Sequence, residues 1–274
     1  MLESFLIFLT GMLASGFGTL VGFGGGIFVV PVLVILFHVQ IHLAVGSVVL
    51  ALLPAALVAT VFNARERTID PLVALWLEIP TMAGAVLGAA LTSLIPVREL
   101  EVAFAVFVLF MAYKMRKPKP RTEDGEQDRG LLARLNRAGF QLHRKRAGCS
   151  YNVGAGAAVL FGSLSGLLAG LFGIGGGFLK TPVMIRVFGM PVRVAVATAL
   201  FMIVFTSTAA SVTHTSLGHL SWPIALPLVA GFAFGAAMGN LMKRRISDAR
   251  TEKLIAAALF LAGLSMLVHA LGKG

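Results

Sequence analysis

The 274-residue chain is 57% hydrophobic and only 13% charged, with a mean hydropathy of +0.89, which excludes a soluble globular domain. Its net charge of +11 invites nucleic acid as a partner, but the placement of that charge argues against it. Between Lys114 and Arg146 stand eleven lysines and arginines against four acids, the pattern of a cytoplasmic loop between membrane spans.

Apolar stretches approach the length that a bilayer core about 30 Å thick demands of a helix. In chain order they are Leu2–Leu20, Leu43–Phe62, Leu72–Ile95, Val102–Tyr113, Val153–Leu171, Val194–Val212, Trp222–Met242 and Leu254–Leu271. The Val102–Tyr113 run is short and needs its flanks to span. The start MLESFLIF carries Glu3 and no basic residue, the reverse of a secretory leader. Cys149 is the one cysteine. It has no internal disulfide partner, lies beside the basic loop and reads as a spectator.

The stretches GFGGGIFVVP (22–31) and GIGGGFLKTP (173–182) repeat one glycine knot at an offset of 151 positions. The same offset brings Gly84, Ala85 and Gly88 onto Gly235, Ala236 and Gly239. Aligned glycines and prolines at a constant offset indicate a duplication: a first membrane repeat over 1–115, a basic loop over 116–150 and a second repeat over 151–274. Val102–Tyr113 must end inside against the basic loop, so Leu72–Ile95 starts inside, beside Arg65 and Arg67. The equivalent Trp222–Met242 ends at Lys243-Arg244-Arg245, so it starts outside. The expected fold is therefore an all-α polytopic membrane protein of two inverted-topology repeats, a common build of secondary transporters. Each repeat is a glycine-tipped helical hairpin followed by three transmembrane helices. Both termini are expected outside. Leu131–Arg146 is expected to form an amphipathic helix on anionic lipid, with a disordered linker as the alternative.

Four glycines in five positions cost about 1 kcal/mol each in a helix, so the knots break it. Unpaired backbone amides at membrane depth are tolerated where they are buried or line a cavity. At the positive end of a restarting helix they suit an anion. That makes Gly24, Gly25, Gly26, Gly175, Gly176 and Gly177 candidate substrate contacts, with close helix packing as the alternative. The nucleotide-loop pattern fails at Leu179, and the dinucleotide pattern fails at Ile27 and Phe178.

Lys180 follows the second knot where its repeat equivalent is Val29. It is either a cation for the substrate or a snorkelling side chain. Asn63 and His214 are equivalent positions near span ends. His214 could relay protons, bind substrate or cap its helix. His214 and His219 are five apart with no cysteine or carboxylate nearby in sequence, so no metal is expected. Thr206 and Ser207 are weaker candidates, because such hydroxyls often bond their own helix.

The two knots, NARERTIDP (63–71), HTSLGHLSW (214–222), GAVLG (84–88) and GAAMG (235–239) together resemble the TauE/SafE sulfite-exporter-like family of membrane transporters, also called TSUP. The resemblance covers nearly the whole chain outside the loop. The first copy departs from the family pattern with Arg67 where glycine is usual and Pro71 where tryptophan is usual. The resemblance implies export or uptake, with export the preferred direction, of a small sulfur-containing anion such as sulfite, sulfoacetate or a related sulfonate. No nucleotide-binding domain is present, so coupling to a proton or sodium gradient is expected, without a cofactor. A second copy of the chain in a homodimer is a further expected partner, and the membrane is the cell membrane. The alternatives are a passive anion channel and an intramembrane enzyme using His214, which lacks an acidic partner within the spans.

Overall fold

The computed structural model describes residues 2–91, 139–146, 148–173, 175–243 and 248–272, together with 102, 105–106, 109–110, 112–113 and 136–137. Helices α1 (Leu2–Val21), α2 (Gly26–Ile35), α3 (Ile41–Arg65) and α4 (Pro71–Leu91) precede a β-hairpin of β1 (Gln141–Arg146) and β2 (Cys149–Gly154). Helices α5 (Ala155–Phe172), α6 (Gly177–Arg186), α7 (Val192–Ser216), α8 (Trp222–Lys243) and α9 (Asp248–Gly272) follow. Among the described residues six helices are long and apolar enough to cross a membrane: α1, α3, α4, α5, α7 and α8. The protein is an all-α multi-pass membrane protein. The described residues of Val102–Tyr113 are helical and pack on α9, where a Cβ at Gly263 would lie 2.8 Å from Leu109 Cγ.

The 151-residue offset carries over to the element boundaries. Gly26–Ile35 maps onto Gly177–Arg186, Ile41–Arg65 onto Val192–Ser216, and Pro71 onto Trp222. It carries over to the backbone as well. Among the described residues only two non-glycines have a left-handed φ, His38 at 52° and Arg67 at 54°. Their equivalents are Gly189 at 73° and Gly218 at 74°. The turn is therefore a property of the repeat, and one copy holds it without glycine at about 1–2 kcal/mol of strain per residue.

Packing exchanges partners between the two repeats: α1 lies on α8 and α4 lies on α5. Glycines permit both contacts. Cβ atoms at Gly231, Gly235 and Gly239 would collide with the carbonyls of Phe8, Met12 and Gly16, and at Gly162, Gly166 and Gly170 with those of Leu77, Thr81 and Ala85. Each four-residue step along one helix is matched by four along the other, so both pairs run parallel in backbone contact. GAVLG and GAAMG thus carry the small-residue spacing that lets two helix backbones approach closely.

Helices α3 and α7 cross antiparallel between these pairs. The Asp70 amide, just past α3, donates to Thr198 Oγ1 early in α7 at 3.0 Å. The Ser221 amide, just past α7, donates to the equivalent Ser47 Oγ early in α3 at 3.4 Å. One end of the bundle therefore collects Arg65, Arg67, Arg186, Arg193 and the β-hairpin, and the other collects His38, His42, His214 and His219. Hairpin α1–α2 starts and ends at the histidine end, and hairpin α5–α6 at the arginine end.

The basic loop departs from expectation. Residues 131–135 lie outside the described residues, but Gln141–Arg146 is a strand, paired antiparallel with Cys149–Gly154 through the tight turn at Gly148. Its partner β2 crosses the expected repeat boundary at 150. The reason is a period of two. Leu142, Arg144 and Arg146 face inward while His143 and Lys145 face solvent, an alternation that a helix cannot keep on one face. Tyr151 and Val153 of β2 are buried on the same side.

Candidate functional site

The two glycine knots meet. A Cβ at Gly24 would lie 2.8 Å from Leu52 Cδ2, and one at Gly175 would lie 3.0 Å from Leu52 Cδ1 and 3.3 Å from Ile203 Cγ2. Leu52 and Ile203 are themselves repeat equivalents at the middle of α3 and α7. Thr181 Oγ1 donates to the Gly22 carbonyl at 3.2 Å, tying one knot to the other. Gly24, Gly25, Gly26, Gly175, Gly176 and Gly177 are all buried.

Left-handed glycines at 25 and 176 end the turns and start α2 and α6. Some amides are used locally, with Phe23 and Gly24 donating to the Gly18 carbonyl and Lys180 to that of Gly176. Among the described residues, no acceptor stands in hydrogen-bonding geometry to the amides of Gly25, Gly26 and Ile27, or to those of Gly175, Gly176 and Gly177. Two helix N-termini thus present unsatisfied donors to one buried locus.

Lys180 sits one turn into α6 and is fully buried, so it does not snorkel. Its Nζ donates to Glu78 Oε2 of α4 at 2.7 Å and to Thr206 Oγ1 of α7 at 2.9 Å. Thr206 Oγ1 also donates to Glu78 Oε1 in a short contact. The expected lone cation is therefore an ion pair. Glu78, buried in a span described as free of acids, is the candidate site residue that the sequence reading missed. A solitary carboxylate inside an apolar helix is itself the available signal. Next to Thr206 in sequence, Ser207 Oγ is buried without a partner among the described residues.

Asn63 and His214 do not join this locus. Asn63 lies at the arginine end, its Nδ2 donating to the Ala59 carbonyl at 2.7 Å. His214 lies at the other end, buried, with Nε2 2.9 Å from the Gly170 carbonyl. A carbonyl can only accept, so Nε2 carries the proton, and Nδ1 accepts from His219 Nδ1 at 3.2 Å. His219 reaches His214 because α7 has already ended at Ser216, which removes the helical-spacing objection. His42 stacks on His219 with ring centroids 5.1 Å apart. Burial, and to a lesser degree His42, hold His219 below the ordinary histidine pKa. Among the described residues no group of three or more metal-type side chains is placed to hold a metal ion.

A second network closes the arginine end. Arg144 Nε and Nη2 donate to Asp70 Oδ2 and Oδ1 at 3.0 and 3.2 Å, and Tyr151 Oη donates to Oδ2 at 2.6 Å. Asp70 Oδ1 also caps α4 through the Leu72 and Val73 amides. Burial alone would raise the Asp70 pKa, but the hydrogen bonds from Arg144, Tyr151 and Val73 together hold it below the usual carboxylate value. Arg144 is thus turned in to a protein carboxylate, where the sequence reading sends it to lipid headgroups.

The chain matches the family model described as sulfite exporter TauE/SafE over residues 7–266. It is 29% identical over 272 residues to the probable membrane transporter protein YunE of Bacillus subtilis, covering 96% of this chain and 97% of that protein. It is 22% identical over 278 residues to the probable membrane transporter protein MJ0441 of Methanocaldococcus jannaschii, covering 96% and 95%. Over 122 residues, 41% of this chain and 25% of the other, it is 33% identical to sulfite exporter TauE/SafE family protein 3 of Arabidopsis thaliana. No solved structure matches it significantly. The meeting glycine knots and a match from residue 7 to residue 266 lead to one conclusion: the chain belongs to the sulfite exporter TauE/SafE family.

Proposed function

We propose that this multi-pass membrane transporter carries a small sulfur-containing anion, sulfite or an organosulfonate, across the cell membrane by alternating access, in the export direction. The observation that carries the reading is the convergence of Gly24–Gly26 and Gly175–Gly177 at Leu52 and Ile203, with unsatisfied amides from both knots. An oxyanion presents several acceptors at once, and such amides need no side chain to bind it. Thr206 is bonded to Lys180, and the next residue, Ser207, carries a buried hydroxyl without a partner among the described residues, so the two extend the candidate site.

The arrangement in the membrane follows from α3 and α7. Equivalent helices that cross antiparallel support inverted repeats of residues 1–115 and 151–274, and rocking of one against the other would expose the knots alternately. Arg65, Arg67, Arg186, Arg193 and the hairpin share one end, which supports placing that end in the cytoplasm and both termini outside. A flux panel of sulfite, sulfoacetate, sulfate and a plain carboxylate in proteoliposomes tests the substrate. Uphill movement of a sulfur anion is the expected result, and carboxylate transport with no sulfur-anion flux would reject the reading.

A further inference from the structure

We propose that Glu78 and Lys180 form a proton-coupled anion site, in which Lys180 exchanges Glu78 for the substrate oxyanion and Glu78 takes up one proton. This deepens the transport reading above and rests on it.

The pair is not there to hold the bundle together. At the repeat-equivalent positions the same fold places Val29 for Lys180, Val229 for Glu78 and Ala55 for Thr206. Val29 and Ala55 are buried, and Val229 packs against the same core. The architecture thus fills the equivalent positions with three apolar side chains in one half and an ionic triad in the other. Buried ion pairs add little stability over well-packed apolar residues, so an asymmetric one asks for another role. Intramembrane charges usually mark substrate or proton paths.

Charge balance sets what the pair can do. Closed, the site holds one carboxylate and one ammonium and is neutral, with Thr206 bridging both. Lys180 follows the Gly176 turn by one helical turn, its amide bonded to the Gly176 carbonyl. An anion on the knot amides would sit within one helical turn of the Lys180 backbone, in reach of a long side chain that helix geometry tilts toward the N-terminus. If Nζ leaves Glu78 for that anion, an ionised carboxylate is stranded in a buried site beside a second negative charge. Among the described helices packed around the pair, no other group stands beside it to neutralise it. The only titratable side chains of α6 and α7 besides Lys180 are Arg186, Arg193 and His214, which lie toward their helix ends. Helix α5 has none, and α4 has only Glu78. A proton on Glu78 removes the penalty: its hydroxyl can donate to Thr206 while Lys180 donates to the anion. One proton from water then enters with each anion and leaves with it, so direction follows the combined gradient of the two.

The test measures protons directly. The purified full chain in detergent is titrated with sulfoacetate, whose acid groups stay ionised near neutrality, in two buffers of different ionisation enthalpy. The expected result is uptake of about one proton per anion bound, with wild-type affinity falling about tenfold per pH unit above neutrality. In Glu78→Gln, proton uptake vanishes and affinity no longer depends on pH. Binding without proton uptake in the wild type overturns the proposal and leaves the substrate reading standing. Proton uptake that persists in a folded Glu78→Gln also overturns it and moves the proton to His214 or His219. Absence of binding by sulfoacetate and by sulfite rejects the substrate reading and this proposal together. If Glu78→Gln does not fold, the wild-type proton count and pH slope decide alone.

Discussion

Lys180 Nζ stands 2.7 Å from Glu78 Oε2 across 102 residues of sequence, and both side chains are buried. Removing one member of such a pair leaves the other charge without a partner, at a cost of about 3–5 kcal/mol. Lys180→Met should therefore lower the thermal unfolding midpoint sharply as well as weaken anion binding. The double variant Glu78→Val/Lys180→Val, which copies residues found in the other repeat, should recover most of the lost stability without recovering transport. Thermal unfolding of the detergent-solubilised variants decides. A Lys180→Met protein as stable as wild type would show that the pair carries no such coupling.

The knots should tolerate no side chain. Gly25 has φ 105° and a Cβ there would lie 2.6 Å from the Ala14 carbonyl oxygen, while one at Gly176, φ 69°, would lie 2.9 Å from Ser165 Oγ. Gly25→Val should fail to accumulate in the membrane. Gly176→Ala is milder, because its nearest neighbour is a hydroxyl, and should cost about 1–2 kcal/mol from the left-handed backbone while abolishing anion binding. Vigorous transport by Gly176→Ala would assign the knots to packing alone.

At position 67 the prediction runs the other way. Arg67 holds φ 54° where its equivalent Gly218 sits at 74°, so Arg67→Gly relieves strain. The gain is about 1 kcal/mol, and it should appear as a higher unfolding midpoint with unchanged transport. The reciprocal Gly218→Arg should lose a similar amount. No shift in either would mean that this turn relaxes freely.

Asp70 links the β-hairpin to α4, and its pH dependence has a definite sign. Its folded-state pKa is depressed below the ordinary 3.8, so the contribution is complete above about pH 4 and fades as pH falls further. Asp70→Asn should cost about 1.5–3 kcal/mol at neutral pH, as expected for hydrogen bonds to a charged group. It should also flatten the acid limb of the stability curve. Equal acid sensitivity in wild type and variant would place the titrating group elsewhere.

Cys149 gives a topology test without any engineering, since it is exposed on β2 beside the arginine end. A membrane-impermeant maleimide should label it in inverted vesicles but not in intact cells. Ser216→Cys, in a Cys149→Ser background, should show the opposite pattern from the histidine end. Labelling of Cys149 from outside would reverse the proposed orientation.

The sequence alone determined where each element of the repeat begins, where its backbone turns left-handed, and which helices can approach closely. These are local properties. A glycine doublet or a GxxxG spacing acts through its own backbone, so duplicating the sequence duplicates the geometry, down to the unexpected Arg67 at the place of Gly218. The resemblance carried by the knots likewise anticipated the family. Only the tertiary structure decided the partnerships. Whether Lys180 faces lipid, substrate or Glu78 depends on how α4, α6 and α7 are rotated against one another, and hydrophobic helices of low amphipathicity leave that rotation unmarked. His42 joins His219 because α3 and α7 run antiparallel. The hairpin of Gln141–Arg146 and Cys149–Gly154 is held where it is because Arg144 and Tyr151 found Asp70, a carboxylate more than seventy residues upstream. Local chemistry sets backbone conformation, but a buried charge is satisfied by whatever the packing brings to it.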